Sequence, residues 1–371
     1  MPIRPSAPAE PSQPEAYPEV RIVSGPVFEV IAELAAFASG PARPSLESGK
    51  AWVREVRRLA GRDLIQRVEH WAFAVYTELA SIALELGPPF ETRRLVDGLR
   101  HTPPARLRRR LVGAESPPNR AMVSDGAFDR ALRGDAKAQA EVRKELGVNA
   151  EARAGIDRIF ATGPAALRAE AAAIVESWAE RVTPAFAARS GDLVRRDVEP
   201  KEGLLRVTAP RDALRVFTNG VDIDPRGWAD QVVVIPAVAL RPFIAPVESG
   251  STLLLLVSVA DDTIDAVAGG PPRRLVQAAS ALGDTQRLQI LHELAAGERT
   301  ATELSAALGV DRTSLHHHLG ILRSAGLVAV KSEGVESWRY SLRADSLDRA
   351  ASALTDYLAP RGSATGGSGP G

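Results

Sequence analysis

The chain has 371 residues with 46 basic and 46 acidic side chains, so its formal net charge is zero and a nucleic-acid partner would need positive charge gathered on one face. Hydrophobic residues make up 45%, enough apolar surface for two or more packed domains, and the absence of cysteine excludes disulfides and thiol ligands and fits a reducing cytoplasm. No apolar signal segment opens the chain, and its strongest apolar run, Thr252 to Ala260, is too short to cross a bilayer, so a cytoplasmic protein away from membranes is expected.

Residues 1–19 place proline at 2, 5, 8, 11 and 14, which suits a disordered polyproline arm rather than a core. Residues 20–199 read as a helical domain. Val27, Phe28, Ile31, Leu34 and Ala35 make one amphipathic face. Leu64, Val68, Trp71, Val75, Leu79, Ile82 and Leu86 step by three and four and predict one long helix, stopped by Gly87-Pro88-Pro89. The basic stretch Arg93 to Arg110 is broken by Pro103-Pro104. Its cluster Arg106, Arg108, Arg109 and Arg110 reads as a solvated helix face, with a second nucleic-acid patch as the alternative. Trp52, His70, Trp71, Phe73 and Tyr76 read as core aromatics, a pocket being the alternative. Leu167, Ala171, Ile174, Trp178, Val182 and Phe186 form a further stripe with a kink expected at Pro184.

Residues 200–268 change character. Runs rich in apolar and β-branched residues predict a small antiparallel sheet packed on the helices, with strands near Leu204–Thr208, Gln231–Ile235, Ala239–Ile244 and Thr252–Val259. Ala268-Gly269-Gly270-Pro271-Pro272 reads as a linker, and residues 360–371 as a disordered Gly/Ser-rich tail.

Residues 273–359 read as a winged helix-turn-helix, making the fold class mainly α (α+β). Asp284 is an N-cap for a helix carrying Leu288, Ile290, Leu291 and Leu294. Thr300 with Glu303 makes a capping box, the turn falls at Gly309-Val310, and Asp311 caps a second helix that carries Leu315, Leu319 and Leu322. That spacing leaves Arg312, Thr313, His316 and His317 pointing outward, a ridge that fits a DNA major groove. Ser314 joins them as a reader of bases or phosphates, and Thr300 and Thr302 complete that side of the expected DNA-binding set. A helix stop at Ala325-Gly326 precedes a hairpin with strands Leu327–Lys331 and Trp338–Leu342 and Gly334 in its turn; Lys331 and Arg339 on this wing would contact phosphates. Ser346 to Leu358 reads as a last helix with Leu347, Ala350, Ala351, Leu354 and Leu358 on one stripe.

Three stretches, Leu282 to Leu291, Glu303-Leu304-Ser305 and His317 to Val328, together resemble the ArsR-type family of bacterial winged-helix repressors over about the last quarter of the chain. The resemblance implies a homodimer on a pseudo-palindromic double-stranded operator, with terminal helices as the dimer interface; here that places Leu347, Ala351, Leu354 and Leu358 in it. Members that sense metals use cysteines in the first helix of the motif, or His and carboxylate pairs on the last helix. Ala301 to Ser305 carries no thiol and the last helix no His, so neither metal sensing nor a cofactor is expected. Gly320 stands where the family often has Lys, and the wing carries Glu333 and Glu336. The order of elements upstream is loosely similar to uncharacterised regions fused ahead of some actinobacterial members.

Other motifs fail on their chemistry. His316, His317 and His318 point about 100° apart along a helix and cannot converge on one ion. His292-Glu293 lacks the second His of a zinc-protease helix, since Ala296 stands there. Ser48-Gly49-Lys50 lacks the first Gly and the Ser/Thr of a phosphate loop, and no nucleophile elbow or dinucleotide fingerprint occurs. The expectation is a non-enzymatic, homodimeric DNA-binding repressor, with an upstream part that dimerises or binds an unknown small-molecule effector. The alternative is a small-molecule binder or helical enzyme whose winged helix docks protein.

Overall fold

The computed structural model describes residues 17–39, 46–147, 150–268, 271–332, 338–343 and 345–359. The expected Pro-rich arm through residue 16, the Gly269-Gly270 pair, the wing turn with Glu333, Gly334 and Glu336, and the tail from residue 360 lie outside these. Strand β1 (Glu19–Ile22) leads into α1 (Pro26–Ala38), α2 (Gly49–Glu69), α3 (Phe73–Leu86), α4 (Thr92–His101), α5 (Pro104–Leu111), α6 (Pro117–Met122), α7 (Asp125–Leu132), α8 (Ala136–Leu146), α9 (Ala150–Ala161) and α10 (Pro164–Arg181). A 3-10 turn (Thr183–Ala185) joins α10 to α11 (Ala187–Val207), and α12 (Pro210–Phe217) follows. Then come β2 (Val221–Asp222), β3 (Gln231–Ala237), β4 (Ala245–Ser249), β5 (Thr252–Ser258), α13 (Asp261–Ala268), α14 (Arg273–Leu282) and α15 (Thr285–Ala295). The chain closes with β6 (Arg299–Thr300), α16 (Ala301–Leu308), α17 (Arg312–Ser324), β7 (Val328–Ser332), β8 (Trp338–Leu342) and α18 (Ser346–Leu358). The molecule is mainly helical with two small sheets, as its sequence predicts.

The first sheet has the order β1-β3-β5-β4 and is mixed, not antiparallel as expected. β1 and β5 both pair parallel to β3, and only β4 runs antiparallel, to β5. Its central strands are covered on both faces. Val233, Ile235, Leu254 and Leu256 face the main helical core, while Val232, Val234, Leu253 and Leu255 face Ala213, Leu214 and Phe217 of α12. Two-sided burial explains why both strands read as unbroken apolar runs.

Two of the four expected strands do not form. Leu204–Thr208 lies almost wholly in the last turn of α11, whose helical ladder runs through Val207. Ala239–Ile244 ends before β4 and forms the turn ahead of it, where Arg241 packs inward against Glu47. The long helix expected from Leu64 to Leu86 is two, α2 and α3, broken at His70–Ala72. Trp71 is buried at the break, and the Tyr76 hydroxyl donates to the Val68 carbonyl across it at 2.9 Å. The other sequence stops hold: α3 ends before Gly87, α4 and α5 are separated at Pro103, and Pro184 sits in the 3-10 turn.

The arginine cluster is neither a solvated face nor a patch for nucleic acid throughout. Arg108 is buried and donates to the carbonyls of Ile159, Leu132 and Phe160. Arg110, also buried, is ringed by Glu78, Glu85 and Glu115 and donates to Ser81. A guanidinium inside a core is tolerated when its donors are matched in this way. At the centre, α1 is buried nearly all round and carries two carboxyls inward. Both Glu29 oxygens accept backbone N–H groups, from Val238 at 3.0 Å and Ala239 at 3.1 Å. Glu33 accepts from the Trp178 indole at 3.0 Å and the Thr183 hydroxyl at 2.7 Å. Burial pushes Glu33 up to about 8 and Glu29 up to about 7.

The second sheet, β2-β7-β8-β6, belongs to the winged helix but takes one edge strand from far upstream. β2 pairs parallel to β7, with Val221 opposite Val330 and Asp222 opposite Lys331.

Candidate nucleic-acid interface

The helix-turn-helix is built by local chemistry that the sequence announces. Thr300 caps α16 by accepting from the Glu303 amide at 3.2 Å, and the Glu303 carboxylate returns to the Thr300 amide at 2.7 Å. Gly309 ends α16 in the left-handed conformation, φ 65°, and the Ser305 hydroxyl closes the turn on the Val310 carbonyl at 2.7 Å. Asp311 caps α17 through the Ser314 amide at 3.0 Å. Leu315, Leu319 and Leu322 then lock one face of α17 against Leu304, Ile290, Leu291 and Leu294. This burial fixes which residues face outward.

Arg312, His316 and His317 are exposed along the first half of α17. The Arg312 guanidinium donates to the Thr302 hydroxyl at 3.2 Å, which ties the start of α17 to α16. Thr313 lies on the same helix between them. Ser314 is less available than the sequence suggests, because its hydroxyl donates to the capping Asp311 carboxylate at 2.6 Å. Thr300 is likewise engaged in its own capping box. His318 is turned back toward the body, with Nε2 2.7 Å from the Gln286 side-chain oxygen. Lost hydration, then the Arg312 guanidinium, lowers the pKa of His316; lost hydration also lowers that of His318, against the opposing pull of Asp284. Both shifts favour the neutral imidazole.

On the wing, Lys331 is exposed and stands opposite Arg339 in the β7–β8 ladder. Arg339 leans toward the Glu303 carboxylate, 4.0 Å away. The expected set thus falls into two groups, one at the start of α17 with Thr302 and one on the wing strands. The four residues of the expected dimer stripe are all exposed on α18: Leu347, Ala351, Leu354 and Leu358.

Among the described residues, no three His, Cys, Asp or Glu side chains are placed to hold a metal ion, and no helix is long and apolar enough to cross a membrane. An open hollow of about 350 Å³ lies between Glu85, Glu115, Arg109, Arg120, Asp125 and Ser249. Arg109 and Arg120 both turn to Asp125 there, each at 2.8 Å.

Residues outside the expected set also bear on the interface. The Asn219 side chain reaches the last carbonyls of α17, and the Arg323 guanidinium lies 5.6 Å over the Phe243 ring. The sequence trace of the first is Asn219-Gly220, a turn signal between α12 and β2. Phe243 has no such signal, because its partner lies some eighty residues downstream. It stands beside Gly320, where a β-carbon would come within 4.0 Å of the ring, so a long side chain at 320 would have to run past it.

Residues 284–330 match the family model described as bacterial regulatory protein, arsR family. A crystal structure of NolR from Sinorhizobium fredii matches at 27% identity, covering 23% of this chain and 84% of that one, with a TM-score of 0.20. No curated protein matches the chain significantly. The capped helix pair and its locked apolar face lie within residues 284–330, and this C-terminal segment therefore carries the ArsR-family helix-turn-helix of a DNA-binding transcription regulator.

Proposed function

We propose that the protein binds a specific pseudo-palindromic operator as a homodimer in the cytoplasm and represses transcription there, with the N-terminal body serving effector response or dimerisation. It acts as a regulator and not as an enzyme, and without a metal ligand set. The observation that carries this reading is the outward ridge of Arg312, His316 and His317 on a helix whose opposite face is fully locked in the core. Arginine presents a fork to guanine and histidine donates or accepts at a base edge or phosphate, so the ridge suits the major groove. Exposed Lys331 beside it supplies a phosphate contact from the wing.

The homodimer rests on α18. Its stripe of Leu347, Leu354 and Leu358 is 44%, 46% and 67% exposed, and Val276 of the neighbouring α14 is 50% exposed. A second copy meeting this surface would bury both stripes and set two α17 ridges about one DNA turn apart.

The test is fluorescence anisotropy on DNA from upstream of the protein's own gene, beside a scrambled duplex, across salt. About four phosphates neutralised per protomer give a slope of log affinity on log salt of roughly −7. Arg312→Ala and His317→Ala are each expected to cost about 1–3 kcal/mol on the native duplex. Unchanged affinity in both variants would sink the assignment of α17 as the reading helix and leave the winged helix as a protein-docking module.

A further inference from the structure

The upstream part of the chain holds the DNA-reading helix at its C-terminal end, and one residue makes the joint. α12 ends in a Schellman-type cap: the Gly220 amide donates to the Arg215 carbonyl at 2.7 Å and the Asn219 amide to the Val216 carbonyl at 3.1 Å. This puts Asn219 in the left-handed region, φ 53°, a conformation Asn tolerates better than most residues. α17 ends in the same motif, with Leu327 donating to Leu322 at 3.0 Å, Gly326 donating to Arg323 at 2.9 Å and Gly326 at φ 70°. Two helix C-termini therefore converge, each with partly negative, under-bonded carbonyls.

Asn219 joins them. Its side-chain amide donates to the carbonyls of Arg323 at 3.2 Å and Ser324 at 3.3 Å. Its side-chain oxygen accepts from the Arg343 guanidinium at 3.3 Å, which brings positive charge to the meeting point. The chain then continues straight into the wing sheet. The Gly220 carbonyl accepts from the Val330 amide at 3.1 Å, and β2 occupies the outer edge of β7 beside Lys331. The side chain of the same Arg323, lying over the Phe243 ring, makes a second hold from the same body.

We propose that Asn219 is a positioning residue for DNA reading: it fixes the pitch of α17 and the wing relative to the N-terminal body, which is thereby an integral part of the DNA reader. The proposal rests on the DNA-binding reading above. It follows that sequence discrimination depends on a residue outside the ArsR-like segment that touches no DNA.

The experiment uses the full chain with Asn219→Gly and Asn219→Asp. Glycine keeps the left-handed turn and loses only the side-chain bonds. Aspartate keeps the turn and the Arg343 partner but sets a carboxylate against two carbonyls. Affinity for native and scrambled duplexes, salt slope and active fraction are measured, together with amide hydrogen exchange. Asn219→Gly is expected to weaken native binding by roughly tenfold, equal to about 1.4 kcal/mol. Scrambled binding, salt slope and active fraction should stay unchanged, while amides from Gly326 to Lys331 exchange faster; Asn219→Asp should lose more. Unchanged native affinity, or equal losses on both duplexes, would overturn the positioning role. A wild-type chain that cannot distinguish the two duplexes would overturn the DNA-reading proposal itself, and this one with it.

Discussion

α1 and α18 are each thirteen residues long, yet α1 buries twelve of them and α18 buries Ser346 alone. α1 lies between α3, α2, α10 and the sheet, and it is enclosed so completely that Glu29 and Glu33 had to be given internal donors. α18 packs on α14 and turns its leucines to solvent. An isolated helix of about this length is marginal in water, so α18 draws little on its own chain and has most to gain from an external surface. The first helix is committed to folding while the last leaves an apolar stripe uncovered, and each expectation below pushes on that difference.

The largest effect should come from Leu34→Ala in α1, a fully buried side chain, with a loss of about 2–5 kcal/mol of unfolding free energy in a denaturant titration. Leu354→Ala in α18 should change protomer stability by about 0.5 kcal/mol or less, because that side chain is already half exposed. Equal costs at the two positions would erase the contrast.

Next comes assembly. Leu354→Glu with Leu358→Glu should leave the protomer folded and weaken self-association by about a hundredfold or more, equal to about 2.7 kcal/mol, read by sedimentation equilibrium. Self-association unchanged in that variant would move the dimer interface off α18.

A smaller effect than the loss of assembly is a pH dependence seated in α1. Burial raises Glu33 from its ordinary 4.5 to about 8, so its neutral form is the one the fold prefers. Its contribution is full below the ordinary carboxyl range and is lost as pH rises through about 8. Stability should therefore increase on going from pH 8 to pH 6, by on the order of 1–2 kcal/mol. Glu33→Gln, which keeps an acceptor for Trp178 and Thr183, should make that profile shallower in thermal melts at the two pH values, leaving the part carried by Glu29 and Glu78, which burial raises to about 7. A wild-type profile already flat over this interval would mean that Glu33 is ionised in the fold.

The same contrast separates what could be read early from what could not. The capping residues Asp284, Thr300, Glu303 and Asp311 and the end glycines Gly309 and Gly326 sit where the sequence predicts. Arg312, His316 and His317 face outward because the i, i+4, i+7 leucines of α17 face in. The helical period misled between Leu64 and Leu86, where the stripe runs unbroken in sequence while the backbone stops at His70. Arginine polarity misled at Arg108 and Arg110, whose partners come chiefly from α3, α7 and α9, about twenty to fifty residues away in the chain.

The sequence by itself determined the helix-turn-helix, its caps and its outward ridge, because capping and periodicity act over three to seven neighbouring residues. Only the tertiary structure decided that β1, β3 and β5 run parallel, that β2 completes the wing sheet, and that Asn219 and Phe243 grip α17. Parallel pairing and helix docking depend on groups tens to a hundred residues apart, whose meeting is set by the packing of whole layers and leaves no pattern in any local window.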